Sequence, residues 1–224
     1  RKSVSSDITC IAGLLNDVGF DRGKHLWLIR SRQTLAVTNE HVSFVVGIAT
    51  EQSTPGRIFL GCELHGCGLG FAYQGNSGDI FATRRERKSY GVKFTAGDSV
   101  GILLDCDNKR LSFIVEGVPQ GVAFDDLPEG SSFWPAVGLH AEGVAVSIEH
   151  QSATAFLRRR SEAMKELMVG RSIKKQFPDG VWRKGKIKEK LAEETYLIRF
   201  DGGRDLLVRC GAEDGFEVLT EETL

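Results

Sequence analysis

Cys62, His65 and Cys67 fall close together and are the nearest approach of this chain to a metal-ligand cluster. A structural zinc site needs four such ligands, and no second Cys pair or Cys–His pair stands at a useful spacing, so no metal is expected. Gly66-Cys67-Gly68-Leu69-Gly70 has the glycine content of a phosphate-cradling loop. Such a loop works by opening a helix inside a βαβ unit; a strand follows here, so the glycines read as packing positions and no nucleotide cofactor is expected. Asp105, Asp107 and Asn108 have the spacing that starts a calcium loop, but the central Gly and terminal Glu are missing, and Lys109 and Arg110 would oppose a cation. They read as a solvated hairpin turn.

Acid–base and nucleophilic chemistry lack a constellation as well. The histidines (His25, His41, His65, His140 and His150) have no evident nucleophile partner, no Ser-containing elbow appears, and the paired carboxylates Asp125-Asp126 occupy a turn. The expectation is that the chain is not an enzyme. Two basic features carry a binding reading beside a favoured structural one. Arg84-Arg85-Glu86-Arg87-Lys88 is either a solvated loop or a grip on an acidic or phosphorylated partner. Trp182, Lys184, Lys186, Lys188 and Lys190 share one face at period two, with Val181 and Ile187 pointing the other way. An aromatic among lysines fits a nucleic-acid backbone track, and it fits equally an edge strand whose lysines block unwanted pairing. Residues 170–224 carry 11 Lys and Arg against 11 Asp and Glu, a balance that favours the edge-strand reading.

The elements that must position these residues are mainly strands. Val42, Phe44, Val46 and Ile48 alternate, as do Val100, Ile102 and Leu104, then Leu111, Phe113 and Val115, then Val144, Val146 and Ile148. Turn residues at Gly75–Gly78, Tyr90-Gly91, Asp105–Lys109 and Glu116-Gly117 separate them. Many short strands, each with one apolar face, predict an antiparallel β-sandwich over residues 1–150. Over residues 151–169 the period becomes helical through Ala153, Leu157, Met164 and Met168, with Ser152 or Thr154 as cap and Gly170 beyond the end. This predicts a helical connector. Residues 170–224 return to four or five short strands, which predicts a small closed barrel.

Composition agrees with a folded, mainly β protein. The 224 residues are 41% hydrophobic and 26% charged, with a net charge of −1, which excludes a disordered chain and a whole-chain basic coat for nucleic acid. Five cysteines spread thinly over this length read as reduced thiols and an intracellular setting, cytoplasmic or nuclear. The longest apolar run, around Phe44 to Ala49, has a strand's length, so no membrane span is expected. The chain opens on Arg1-Lys2-Ser3, and it reads as an excerpt of a longer multidomain protein.

Several runs stand in one recognisable order: Gly68-Leu69-Gly70-Phe71, Gly78-Asp79-Ile80-Phe81, and the stretch from Tyr90 through Phe94 and Asp98 to Gly101. Leu103-Leu104-Asp105, Leu111-Ser112-Phe113, Gly121-Val122-Ala123-Phe124-Asp125-Asp126-Leu127 and Trp134-Pro135-Ala136-Val137 follow. In order and spacing this region resembles the SPRY family, and Lys24-His25-Leu26-Trp27 and Val46-Gly47-Ile48 extend the match upstream. One departure is Glu116, where the family usually has Asn before Gly in the last hairpin. The resemblance implies a bent, non-catalytic two-sheet sandwich whose loops capture a peptide segment of another protein. It also implies adaptor or scaffold roles, with components of ubiquitin-ligase or chromatin complexes among the partners. The residues expected at such a loop surface are Pro55, Phe71, Tyr73, Gln74, His140 and Glu142.

Gly170-Arg171-Ser172-Ile173, Phe177-Pro178-Asp179-Gly180, Trp182–Ile187 and Tyr196–Gly203 follow a Tudor-like rhythm, so the C-terminal segment resembles a Tudor-type or SH3-like barrel. That resemblance implies a barrel face built from Phe177, Trp182, Lys184, Lys186, Tyr196 and Phe200, and a chromatin or nucleic-acid reader as the alternative function. The cage positions carry Phe177, Arg183, Phe200, Gly202 and Arg204, and two arginines in a two-ring cage oppose a methylated cation.

Overall fold

A computed structural model describes residues 3–5, 11–14, 18–33, 44–50, 70–83, 85–95, 97–139, 144–165, 169–177, 179–192, 195–210 and 215–219. The first strands are β1 (Ser3–Ser5), β2 (Ile11–Leu14), β3 (Lys24–Gln33), β4 (Phe44–Thr50), β5 (Gly70–Gln74), β6 (Asp79–Ala82) and β7 (Lys88–Ser89). Then come β8 (Ser99–Asp105), β9 (Arg110–Val115), β10 (Val118–Phe124), β11 (Phe133–Leu139), β12 (Val144–Gln151) and the helix α1 (Ala153–Lys165). The chain continues through β13 (Ser172–Gln176), β14 (Trp182–Ala192), β15 (Thr195–Phe200), β16 (Asp205–Arg209) and β17 (Phe216–Val218).

Two antiparallel sheets form the sandwich. One has the order β1-β12-β3-β8-β9-β10 and the other β2-β11-β4-β5-β6-β7. The alternating residues meet between them: Val100, Ile102, Leu104, Leu111, Phe113 and Val115 face Val46, Ile48, Phe71 and Tyr73 in one buried cluster. Each such side chain stabilises the fold by about 1.5–3 kcal/mol relative to exposure. The second sheet, however, is buried on both faces. Val45, Ala49, Ala72, Phe81 and Ala136 form a separate cluster on its other side.

The outer face of the first sheet is covered by α1. Leu26, Leu103 and Ile114 pack against Ala153, Phe156 and Leu157. Ser152 caps the helix as its sequence predicts: its hydroxyl accepts the Ala155 N–H at 3.1 Å and its carbonyl the Phe156 N–H at 3.0 Å. Gly170 takes a positive φ of 95° beyond the helix.

The C-terminal segment forms a five-stranded antiparallel sheet, β16-β15-β14-β13-β17, around Ile173, Ile187, Tyr196, Ile198, Phe200 and Phe216. Its described strands do not close into a barrel, contrary to the sequence expectation. Docking shields the core instead. Gln176 Nε2 donates to the Tyr90 carbonyl of the sandwich, and Arg160 of α1 donates to the Phe216 carbonyl at 3.3 Å. The Arg160 guanidinium also lies 5.2 Å above the Phe216 ring.

A second correction concerns the lysine strand. β14 is the central strand of this sheet, so its lysines do not guard an edge. The stripe is also interrupted, because the β14–β15 register shifts between Ile187 and Glu189. A bulge moves later residues to the opposite face. Lys190 therefore pairs with the buried Tyr196 and lays its ammonium 5.7 Å from that ring. Lys184 and Lys186 stay outward, Ile187 is inward as expected, and Val181 is exposed rather than inward.

Candidate functional site

β4 sets the geography of the sandwich ends. Phe44 at its start is opposite Leu139, and Val45 is opposite Gln74; Thr50 at its end is opposite Phe133, and Ala49 is opposite Gly70. The loop carrying His140 and Glu142 therefore leaves the Phe44 end. The loop carrying Pro55 leaves from Thr50 and returns at Gly70, at the other end of β4, about 20 Å away along the strand. Pro55, His140 and Glu142 themselves lie outside the described residues. The same holds for Cys62, His65, Cys67, His41 and Arg84.

Beside Leu139 and Gln74, the turn 75–78 and the segment 90–95 are locked together. Gly78 O accepts the N–H groups of Tyr90 (3.2 Å) and Gly91 (2.9 Å), while Phe94 N–H donates to Gly75 O at 3.0 Å. Only glycine fits at position 75, where a Cβ would stand 2.5 Å from the Phe94 carbonyl oxygen. Asn76, Val92 and Lys93 project from this rim into solvent. A polar or β-branched residue in a turn carries no chemical signature, so none of the three stands out in the sequence.

Phe71, Tyr73 and Gln74 do not face a partner. All three are buried, Tyr73 at 0% exposure. The Tyr73 ring packs edge-on to Tyr90 at 5.1 Å and Phe94 at 4.8 Å, and its hydroxyl donates to the Val92 carbonyl. Burial pushes the Tyr73 phenol well above its ordinary value, so it stays neutral. Phe71 meets Phe124 edge-on at 5.2 Å, under the Arg85 guanidinium. Alternation places Phe71 and Tyr73 on the same inward face of β5.

The basic loop is largely satisfied within the molecule. Arg85 pairs with Asp126 at 2.7 Å, and Arg87 stands 3.6 Å from Asp79 while covering the Phe81 ring. The Arg85 hydrogen bond holds the Asp126 carboxyl below its usual range. Asp105, first of the calcium-like trio, is occupied by donors from the protein: Lys24 Nζ at 2.7 Å, Asn108 N at 3.0 Å and Asn108 Nδ2 at 2.8 Å. Asp107 accepts the Gly23 N–H at 2.8 Å. No group of three or more metal-binding side chains gathers among the described residues. Cys106 is half-buried with its thiol pushed up to about 11, first by desolvation and then by neighbouring Asp107 and Asp105, so it is a weak nucleophile at neutral pH. His25 and His150 stack at 5.9 Å with Phe20 and Trp27 alongside, an aromatic cluster rather than an acid–base pair.

On the C-terminal sheet, Tyr196 and Phe200 are core residues and cannot form a binding face. Phe177 is half-buried, edge-on to Phe200 at 5.0 Å, with the Arg183 guanidinium 4.7 Å over its ring. The protein's own cation thus occupies the would-be cage. Lys184 and Lys186 do project outward near Trp182, but Lys174, 5.5 Å from the Trp182 ring, is paired with Glu217, and Arg199 is paired with Asp205.

Two six-stranded antiparallel sheets packed face to face make this a β-sandwich. The SPRY domain family profile matches residues 24–151, and the chain belongs to that family. It is 30% identical over 97 residues to a Ran-binding proteins 9/10 homolog of Drosophila melanogaster, covering 43% of this chain and 10% of that protein. It is 29% identical over 150 residues to F-box/SPRY domain-containing protein 1 of Anopheles gambiae, covering 63% of this chain and 54% of that protein. The chain thus spans only part of the length of these relatives. The crystal structure of the SPRY domain of human HERC1 superposes with a TM-score of 0.51 at 21% identity, covering 66% of this chain and 86% of that one, which supports the fold. SPRY domains are in general a non-catalytic protein-interaction fold. No helix among the described residues is long and apolar enough to cross a membrane.

Proposed function

We propose that this chain is a peptide-capturing interaction module, working as an adaptor or scaffold within a larger intracellular protein. The docking surface is the Phe44/Leu139 end of the sandwich: the rim residues Asn76, Val92 and Lys93 together with His140 and Glu142 of the adjoining loop. The observation that carries this reading is the hydrogen-bonded lock between the turn 75–78 and the segment 90–95, directly beside the strand end from which that loop departs. A hydrogen-bonded rim beside a strand end is how a scaffold presents a recognition surface at low entropic cost. Selection of displayed peptides on the full chain tests it. The variant His140→Ala/Glu142→Ala should lose the selected peptide by about tenfold or more, as central interface residues commonly do. Unchanged affinity in a folded variant would remove the surface from consideration.

A second reading, a Tudor-like nucleic-acid or chromatin reader, draws on the outward Lys184 and Lys186 beside Trp182. The pairing of Lys174 with Glu217 and of Arg199 with Asp205 dilutes that charge, and Arg183 over Phe177 disfavours methyl-lysine capture.

A further inference from the structure

We propose that the groove between the sandwich and the C-terminal sheet is a second docking site, and that its occupant is an extended acidic segment of a partner protein. The groove is open, with a volume of about 630 Å³. Edge strands supply part of its lining, beside Lys175 and Gln176 of the inner strand β13. β7 ends one sheet of the sandwich, β10 ends the other, and β17 ends the C-terminal sheet. Residues of β7 and β10 line the groove, as does Gly215 just before β17. Edge strands carry backbone donors and acceptors that an extended peptide satisfies by adding a strand, whereas a compact anion does not. β10 is also irregular, its register against β9 shifting between Pro119 and Val122 and again between Val122 and Phe124.

An unpartnered buried acceptor lies in the same wall. Gln176 is only 7% exposed, and its Nε2 is used by the Tyr90 carbonyl, but its Oε1 has no hydrogen-bond partner. That oxygen lies beside Gly215, where an added Cβ would come within 3.1 Å of it. Leaving such an amide oxygen unpaired is costly, but the oxygen is itself closed to solvent, so a docked peptide would bond to the edge strands rather than to it.

Charge fixes the chemistry of the occupant. Asp179 is the one acid among the described lining residues, and it is held by both terminal nitrogens of Arg183, at 3.0 and 2.5 Å. Lys88 and Lys175 are the lining cations. Val122, 40% exposed, and half-buried Phe177 add apolar lining. An extended segment alternating acidic and apolar residues meets all of these demands at period two. Tyr90 is shared with the rim at the Phe44/Leu139 end, but none of the charged or apolar groups invoked here belongs to that loop surface.

The test uses the full chain and two labelled five-residue probes, acetyl-Glu-Val-Glu-Val-Glu-amide and its Lys-Val-Lys-Val-Lys counterpart, titrated by fluorescence anisotropy. The acidic probe should bind saturably and the basic one should not. Lys88→Glu/Lys175→Glu should weaken the acidic probe by at least about tenfold, because like charges juxtaposed at an interface are strongly unfavourable. Lys184→Glu/Lys186→Glu, the same charge change on the outer face, should alter binding by less than about twofold, since these side chains project from the opposite face of the sheet to Lys175. If the groove double reversal unfolds the chain, Lys88→Ala/Lys175→Ala serves in its place and should still bind measurably more weakly. His140→Ala/Glu142→Ala should leave this probe unaffected, which separates the groove from the loop surface. Absence of saturable binding, equal binding of the basic probe, or equal loss from both lysine pairs would overturn the proposal.

Discussion

Tyr73 shows how a residue that looks suited to recognition is consumed by the fold. It sits among Tyr90, Phe94 and Phe113 with its hydroxyl bonded to the Val92 carbonyl, so it braces the rim from inside. Tyr73→Ala should cost about 3–5 kcal/mol of stability, as large-to-small aromatic changes in cores do. Tyr73→Phe, which loses only the hydrogen bond and leaves Val92 O unpaired, should cost about 1–3 kcal/mol. Chemical denaturation of both variants checks the ratio, and equal midpoints would place Tyr73 outside the core. Asp105 adds a pH dependence. Burial alone would raise its carboxyl, but hydrogen bonds from Asn108 and Lys24, with the charge of Lys24, outweigh that and hold it below the ordinary 3.8. A depressed folded value means the stabilisation is present above the unfolded value and is lost as pH falls through it toward the folded one. Asp105→Asn should therefore flatten the loss of stability seen below about pH 4. Urea midpoints measured across acid pH would show this, and parallel curves for the two proteins would refute it. The sequence exposed Asp105 as a turn residue. It did not expose the Lys24 partnership, because a contact between β3 and β8 depends on which strands become neighbours.

At the scale of elements, the strands of the sandwich were legible because each alternating run buries one face, and Val100, Ile102, Leu104, Leu111, Phe113 and Val115 all do. The second burial surface of the β4–β5 sheet was not. Val45, Ala49, Ala72 and Ala136 are small residues that read as neutral outward positions, yet they are buried together. The lysine stripe failed for a different reason. A period-two reading assumes an unbroken strand, and the bulge after Ile187 breaks the phase. The helix was legible, but its role was larger than that of a connector, because it covers Leu26, Leu103 and Ile114 and reaches Phe216 through Arg160. A fragment of residues 1–165 should therefore melt cooperatively and at a higher temperature than residues 1–151, which leave that apolar surface uncovered. Equal melting temperatures would show that the helix contributes nothing to the sandwich.

At the scale of the whole molecule, the C-terminal sheet is tied to the sandwich through Gln176 to Tyr90 and through the arginine latch on Phe216, rather than hung on a linker. Family membership was legible from motif order alone. Of the six residues expected at the loop surface, Phe71, Tyr73 and Gln74 are interior, and the segment of Pro55 is anchored at the far end of β4 from that of His140 and Glu142. Spacing along the chain cannot tell one end of a sheet from the other until β4 is given its neighbours. The central claim is that a peptide docks at the Phe44/Leu139 end, and amide chemical-shift mapping of a display-selected peptide on the full chain tests it most directly. The predicted result is a contiguous set of shifts over Asn76, Val92, Lys93 and the 140–143 loop, with Lys184 and Lys186 unmoved. Shifts confined to the outer face of the C-terminal sheet, or to the Thr50 end of the sandwich, would contradict it.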